Sequence, residues 1–127
     1  MAKVLEGLYY SESHEYVRVE GEFGYIGITD YAQHALGNVT YIDIEKEEEE
    51  EVEVGEEFGV LETQKSAEPL FSPVSGTVVE VNEVLDGHPE LLHEDAYAHW
   101  IIKVELTDKT ELDQLMDAEA YQEHCKE

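Results

Sequence analysis

Between residues 9 and 106 the apolar side chains come in short β-branched and aromatic runs, each closed after a few positions by glycine, proline or a cluster of acids. That punctuation constrains the fold more than any other feature. Runs of this kind suit strands that reverse about every eight to twelve residues. The expected architecture is mainly β with short helices, a sandwich or flattened β-barrel and not a parallel βαβ fold. The 127 residues, 42% of them hydrophobic, fit one packed domain over 1–127.

Along the chain, residues 16–19 and 25–28 predict a hairpin that turns across 21–24. Thr29 or Asp30 can cap a short helix over 31–36 by accepting an orphan N–H, and Gly37 is suited to end it in the left-handed conformation. From Val39 to Ile44 the residues alternate in the strand period, with Val39, Tyr41 and Asp43 on one face and Thr40, Ile42 and Ile44 on the other. A β pattern resumes over 52–61 and again over 70–81, on either side of a small polar interruption. Residues 82–95 are polar and turn-rich, and 100–106 predict the last strand. Leu112, Leu115, Met116, Ala120 and Tyr121 fall at helical spacings and predict a C-terminal helical segment over about 108–125, with Asp117 a candidate cap for a second short helix within it.

Charge narrows the partners. Seven Lys and Arg stand against 32 Asp and Glu, a formal net charge of −25. Such a field repels phosphate backbones and anionic lipid alike, which disfavours nucleic acid and membrane partners. Residues 43–57 hold ten acids and one base, with five consecutive glutamates over 47–51. A block like this repels itself and resists burial, so an exposed connection between strands is expected. The single cysteine, Cys125, excludes an internal disulfide. Residues 1–6 lack the apolar core of an export signal, so the expected location is the cytoplasm, or the mitochondrial matrix for a processed eukaryotic form.

Two constellations carry less chemistry than they first suggest. Ser13, His14 and Glu15, read as neighbours on a strand, point to opposite faces and cannot converge as a triad. His88, His93 and His99 alternate with Glu90, Glu94 and Asp95, yet the histidine spacings of five and six match no helical ligand pair, and a polar loop without metal is expected.

Lys65 is the only Lys or Arg from residue 47 to residue 102. It lies in the polar interruption, between two apolar strand ends, where the chain can turn back on itself. A lysine at such a hairpin tip, within about 60–71, is a usable amine: its stem reaches outward, and attack by the neutral amine on an activated acyl group gives a stable amide. Glu62 and Glu68 flank it, and an ammonium is not a nucleophile, so acylation calls for an enzyme that binds the hairpin and removes the proton. A lone solubilising lysine at a loop tip is the plainer alternative.

The motifs run in a specific order. Tyr10-Ser11-Glu12-Ser13-His14-Glu15-Tyr16 comes first, then Gly27-Ile28-Thr29-Asp30-Tyr31-Ala32-Gln33 with Leu36-Gly37. Glu62 stands three residues before Lys65, followed by Ser72-Pro73-Val74-Ser75-Gly76 and Val79-Glu80-Val81-Asn82. Pro89-Glu90-Leu91, Tyr97 and Trp100-Ile101-Ile102-Lys103 complete the set. In this order and spacing, over nearly its whole length, the chain resembles the glycine cleavage system H protein family.

The resemblance implies a lipoyl-domain-like barrel-sandwich hybrid with C-terminal helices, and lipoate held in amide linkage by Lys65. Glu62 and Gly76 match positions used when the lipoylating enzyme recognises the folded hairpin, and Ser13, Glu15 and Glu68 become candidates for docking the arm. It implies a non-catalytic carrier. The arm would accept an aminomethyl group at glycine decarboxylase (P protein), deliver it to aminomethyltransferase (T protein), and be reoxidised by dihydrolipoamide dehydrogenase (L protein). A tether raises the effective concentration of one reactive group at three sites in turn.

Departures from the family pattern gather at the chemistry. Glu62-Thr63-Gln64-Lys65-Ser66 stands for the usual Glu-Ser-Val-Lys-Ala, Pro69 replaces an acid four residues after the lysine, with Glu68 one position earlier, and Tyr16 replaces a tryptophan. A Pro-Glu turn after the acidic strand is also missing, replaced by Glu45-Lys46-Glu47 and the glutamate run. Gln64-Lys65-Ser66 is neither the Met-Lys-Met of biotin carriers nor the Asp-Lys-Ala of 2-oxoacid dehydrogenase lipoyl domains. The alternatives left open are an H-like lipoyl carrier serving another pathway, such as sulfur oxidation or lipoate relay, and an unmodified H-like binding module.

Overall fold

The computed structural model describes residues 4–37, 39–85 and 87–125, with the side chains of Leu36, His93 and Glu94 outside that description. The strands are β1 (Tyr9–Tyr10), β2 (Glu15–Glu20), β3 (Phe23–Ile28), β4 (Val39–Ile44), β5 (Glu51–Val52), β6 (Glu57–Thr63), β7 (Ala67–Phe71), β8 (Gly76–Val81) and β9 (Ile102–Leu106). Helices α1 (Asp30–Leu36), α2 (Leu91–Glu94) and α3 (Ala118–Cys125) are short, and 3-10 turns occupy Glu83–Leu85 and Lys109–Gln114. Among the described residues no helix is long and apolar enough to cross a membrane.

Strands β1-β2-β3-β9-β8-β5 form one sheet and β4-β6-β7 another, every pair antiparallel. The expected sandwich is present, and the two sheets do not close into a barrel. Side chains from both inner faces form one buried cluster: Val17, Ile26, Val78 and Val104 from the larger sheet meet Ile42, Phe58, Leu61 and Leu70 from the smaller. This is the alternation of strand side chains put to use, since each strand can offer only half of its residues to the cluster. A second cluster of Leu8, Tyr10, Tyr16, Tyr97, Ala118 and Tyr121 fastens α3 to the first strands. Tyr16 lies across the strand pair from Gly27, and the absence of a Cβ there lets its ring settle on the neighbouring backbone.

Several local expectations are corrected. The first hairpin turns at Gly21 and Glu22, and Gly24 already belongs to β3, where it pairs with Val19. Strict alternation fails in β4: Val39 and Ile42 are both buried while Tyr41 is 49% exposed. The cause is a shift in register between Val39 and Tyr41, a bulge at Thr40 that turns the rest of the strand over. The acidic stretch is not wholly a connection. Val52, 1% exposed, pairs with Gly76 as β5, while the glutamates around it stay in water.

Helix ends follow side-chain chemistry. Thr29 caps α1 by accepting the Ala32 N–H, and Gly37 closes it with φ +78 and ψ −149, a positive φ but not the left-handed helical ψ expected of it. The last strand starts at Ile102, not Trp100. The C-terminal segment is also broken: after the 3-10 turn, Met116 pairs with Tyr10 in the extended form before Asp117 accepts the Ala120 N–H at the head of α3.

Candidate functional site

Strands β6 and β7 form a hairpin in which Leu61 pairs with Glu68 and Glu62 with Ala67, leaving Gln64, Lys65 and Ser66 at the tip. Thr63 builds the reversal. Its N–H donates to the Ser66 carbonyl at 2.8 Å, and its Oγ1 accepts from the N–H groups of Lys65 at 3.2 Å and Ser66 at 3.1 Å. A hydroxyl that gathers two backbone donors fixes a turn without needing burial. Lys65 and both flanking glutamates are exposed, and among the described residues no carboxylate pairs with its ammonium.

A groove of about 270 Å³ begins at the Leu61–Glu68 pair. That pair lies two residue pairs below the turn, about 7 Å along the strands. Ile28, Ala32, Ala35 and Ser13 to Glu15 line it from one side, and Leu61, Leu70, Phe71, Glu68 and Pro69 from the other. The lining is largely apolar, with carboxylates at Glu15 and Glu68. Pro69 is accommodated because β7 is an edge strand, where a missing N–H is tolerated.

Glu15 is 2% exposed. Its carboxylate accepts from Ser11 Oγ at 2.8 Å, from Ser13 Oγ in a short contact, and from the Phe71 N–H at 3.3 Å. The last bond ties β2 of the larger sheet to β7 of the smaller. Burial pushes the Glu15 carboxyl above the ordinary glutamate range, and the hydrogen bonds from Ser13, Ser11 and Phe71 oppose the shift. With a raised value the folded protein holds a proton that the unfolded chain has already released. Its contribution to stability is therefore complete below about pH 4.5 and falls as pH rises through the folded value. Glu15→Gln should flatten the urea stability profile above pH 4.5 relative to the parent, and parallel profiles would refute the burial effect.

The tip residues and the groove residues come together at one end of the molecule, but Gly76 does not join them. It lies buried in β8 of the other sheet, paired with Val52 and Leu106. It serves neither a bulge nor a positive φ: the β8 irregularity falls between Val78 and Glu80, and Gly76 has no positive φ. Its reason is proximity, since a Cβ here would sit 2.4 Å from the Glu105 carbonyl oxygen.

The premise used against a Ser13-His14-Glu15 set is also corrected. Ser13 and His14 precede β2, His14 has φ +71, and Ser13 and Glu15 do converge by a hydrogen bond. His14 turns away from both, placing Nδ1 2.7 Å from the Tyr121 hydroxyl. That contact, and the tie from Glu15 to the Phe71 N–H, were not legible in the sequence: helical spacing put Tyr121 in the C-terminal helical segment but named no partner across 107 residues. Among the described residues no cluster of three or more His, Cys, Asp or Glu could hold a metal. His88 pairs with Glu90 at 3.2 Å, while the His93 and Glu94 side chains lie outside the described residues.

The sequence profile of the family described as glycine cleavage H-protein matches residues 8–127. A glycine cleavage system H protein from Alkaliphilus oremlandii is 53% identical over 124 residues, covering 98% of this chain and 97% of the relative. One from a Thermoanaerobacter species is 50% identical over 125 residues, covering 98% of each. In the solved crystal structure of a glycine cleavage system H protein from Mycobacterium marinum, the fold is similar with a TM-score of 0.86 at 28% identity, over 98% of this chain and 100% of that one.

Proposed function

The chain belongs to the glycine cleavage H-protein family, the lipoyl carriers of the glycine cleavage system, and from that premise we propose that Lys65 is the residue to which lipoate is joined. The observation that carries the assignment is an exposed amine at the tip of a turn fixed by Thr63, beside a groove that a lipoyl-lysine arm can reach. Amide formation replaces an exposed ammonium by a long neutral arm, and no buried group has to change its charge. Glu62, exposed below the turn, is offered to the lipoylating enzyme, whereas the buried Gly76 contributes through the fold that the enzyme recognises.

The groove is where the arm rests between partners. Its apolar lining suits the acyl chain, and Ser13, Glu15 and Glu68 suit a cationic aminomethyl end. Pro69 leaves no acid at its own position, and Glu68, one residue earlier, supplies the carboxylate on that wall. The protein performs no turnover by itself and works in the cytoplasm with glycine decarboxylase, aminomethyltransferase and dihydrolipoamide dehydrogenase, one arm visiting each in turn.

Intact mass of protein from a host able to lipoylate it, followed by peptide mapping, tests the assignment. One lipoyl increment on the peptide holding Lys65 is expected. An unmodified mass would favour the binding-module reading, and an increment elsewhere would transfer the role to another residue.

A further inference from the structure

The segment that supplies Ser13, His14 and Glu15 to the groove is held from a distance. His14 is not glycine yet has φ +71, a conformation L residues adopt only when their surroundings hold them in it. The support is Tyr121 of α3, fully buried and stacked on Tyr10 with ring centroids 4.5 Å apart. Its hydroxyl lies 2.7 Å from His14 Nδ1 and 2.6 Å from Thr29 Oγ1. Thr29 is itself fully buried and caps α1, whose Ala32 and Ala35 line the groove.

One assignment of protons satisfies every member. Thr29 Oγ1 accepts the Ala32 N–H and donates its own proton to Tyr121, and Tyr121 donates to Nδ1 of a neutral His14. Burial pushes the His14 imidazole below the ordinary histidine range, in agreement with that neutral acceptor. The hydroxyl of Tyr121 thus joins two parts of one groove wall, the loop before β2 and the head of α1.

We propose that Tyr121 is a positioning residue for the arm groove, its hydroxyl holding His14 and the Thr29 cap so that Ser13 and Glu15 stay aligned toward the docked arm. The inference rests on the arm-docking reading of that groove. Packing alone would need only the aromatic ring, which stacks on Tyr10; the two hydroxyl contacts serve the wall.

The test is Tyr121→Phe, which keeps the ring and removes the hydroxyl. In the unlipoylated chain, amide exchange at Glu15, Thr29 and Ala32 is expected to rise about tenfold while that of β8 and β9 stays at the parent rate, as when buried hydrogen bonds of ordinary strength are lost locally. In the lipoylated chain, loaded from glycine by glycine decarboxylase, the lifetime of the aminomethyl adduct followed by intact mass is expected to shorten severalfold. Thr29→Ser made in the parent chain, which keeps a hydroxyl in the chain of bonds, should retain parent behaviour in both readouts, and Leu112→Ala serves as a core control that lowers stability without touching the wall. Unchanged exchange in Tyr121→Phe, or equal changes in Leu112→Ala, would overturn the role of Tyr121. Faster exchange with an unaltered adduct lifetime would overturn it through its premise, because the groove would then not be where the arm rests.

Discussion

Lys65→Arg is expected to abolish lipoyl attachment outright while leaving the thermal midpoint where the parent has it. Arginine keeps the charge, but its guanidinium stays protonated at any working pH and does not act as the acyl acceptor. The position is exposed at the tip and makes no ion pair among the described residues, so a change in stability beyond about 0.5 kcal/mol is not expected. Intact mass and calorimetry on the same preparation read both halves of the result. With the three partner enzymes supplied, release of ammonia from glycine should fall to the rate seen without carrier. A lipoyl increment surviving in the variant would mean that another amine carries the arm.

Gly76→Val is expected to act in the opposite way, damaging the fold and leaving the tip chemistry intact. The added Cβ would meet the Glu105 carbonyl oxygen at 2.4 Å and the Val104 Cβ at 3.2 Å. Backbone in a central pairing of β8 with β9 cannot swing aside as a side-chain end would, so the strands must separate. A loss of about 3 kcal/mol, at the upper end for overpacked cores, corresponds to a fall of about 10 °C in the thermal midpoint. Lipoylation measured well below that midpoint should then match the parent. A stable variant would remove the close-approach argument, and a folded variant that resists lipoylation would give Gly76 a direct part in recognition.

These two positions differ in how much of them was legible beforehand. The isolation of Lys65 among acids and its place between two apolar strand ends are properties of the linear chain, and they sufficed to expect an outward lysine at a reversal. Gly76 was singled out by its motif, but the physical reason lay in β9, about thirty residues away, where no local pattern reports a carbonyl oxygen. The β4 bulge is a similar case. Alternation put Tyr41 on the same face as Val39, and pairing with β6 decided otherwise by skipping Thr40.

What the linear chain determined was whatever follows from local chemistry: short strands from β-branched runs, a helix opened by a cap at Thr29 or Asp30, an outward lysine at a reversal, and a surface too acidic for phosphate. Glu15 and Tyr121 obtained their roles only when distant segments closed on them, Glu15 through the Phe71 N–H and Tyr121 through His14 and Thr29. Local propensity acts through neighbours in sequence, whereas desolvating a carboxylate or satisfying a buried hydroxyl depends on whatever the fold brings within about 3 Å, and that is decided by packing.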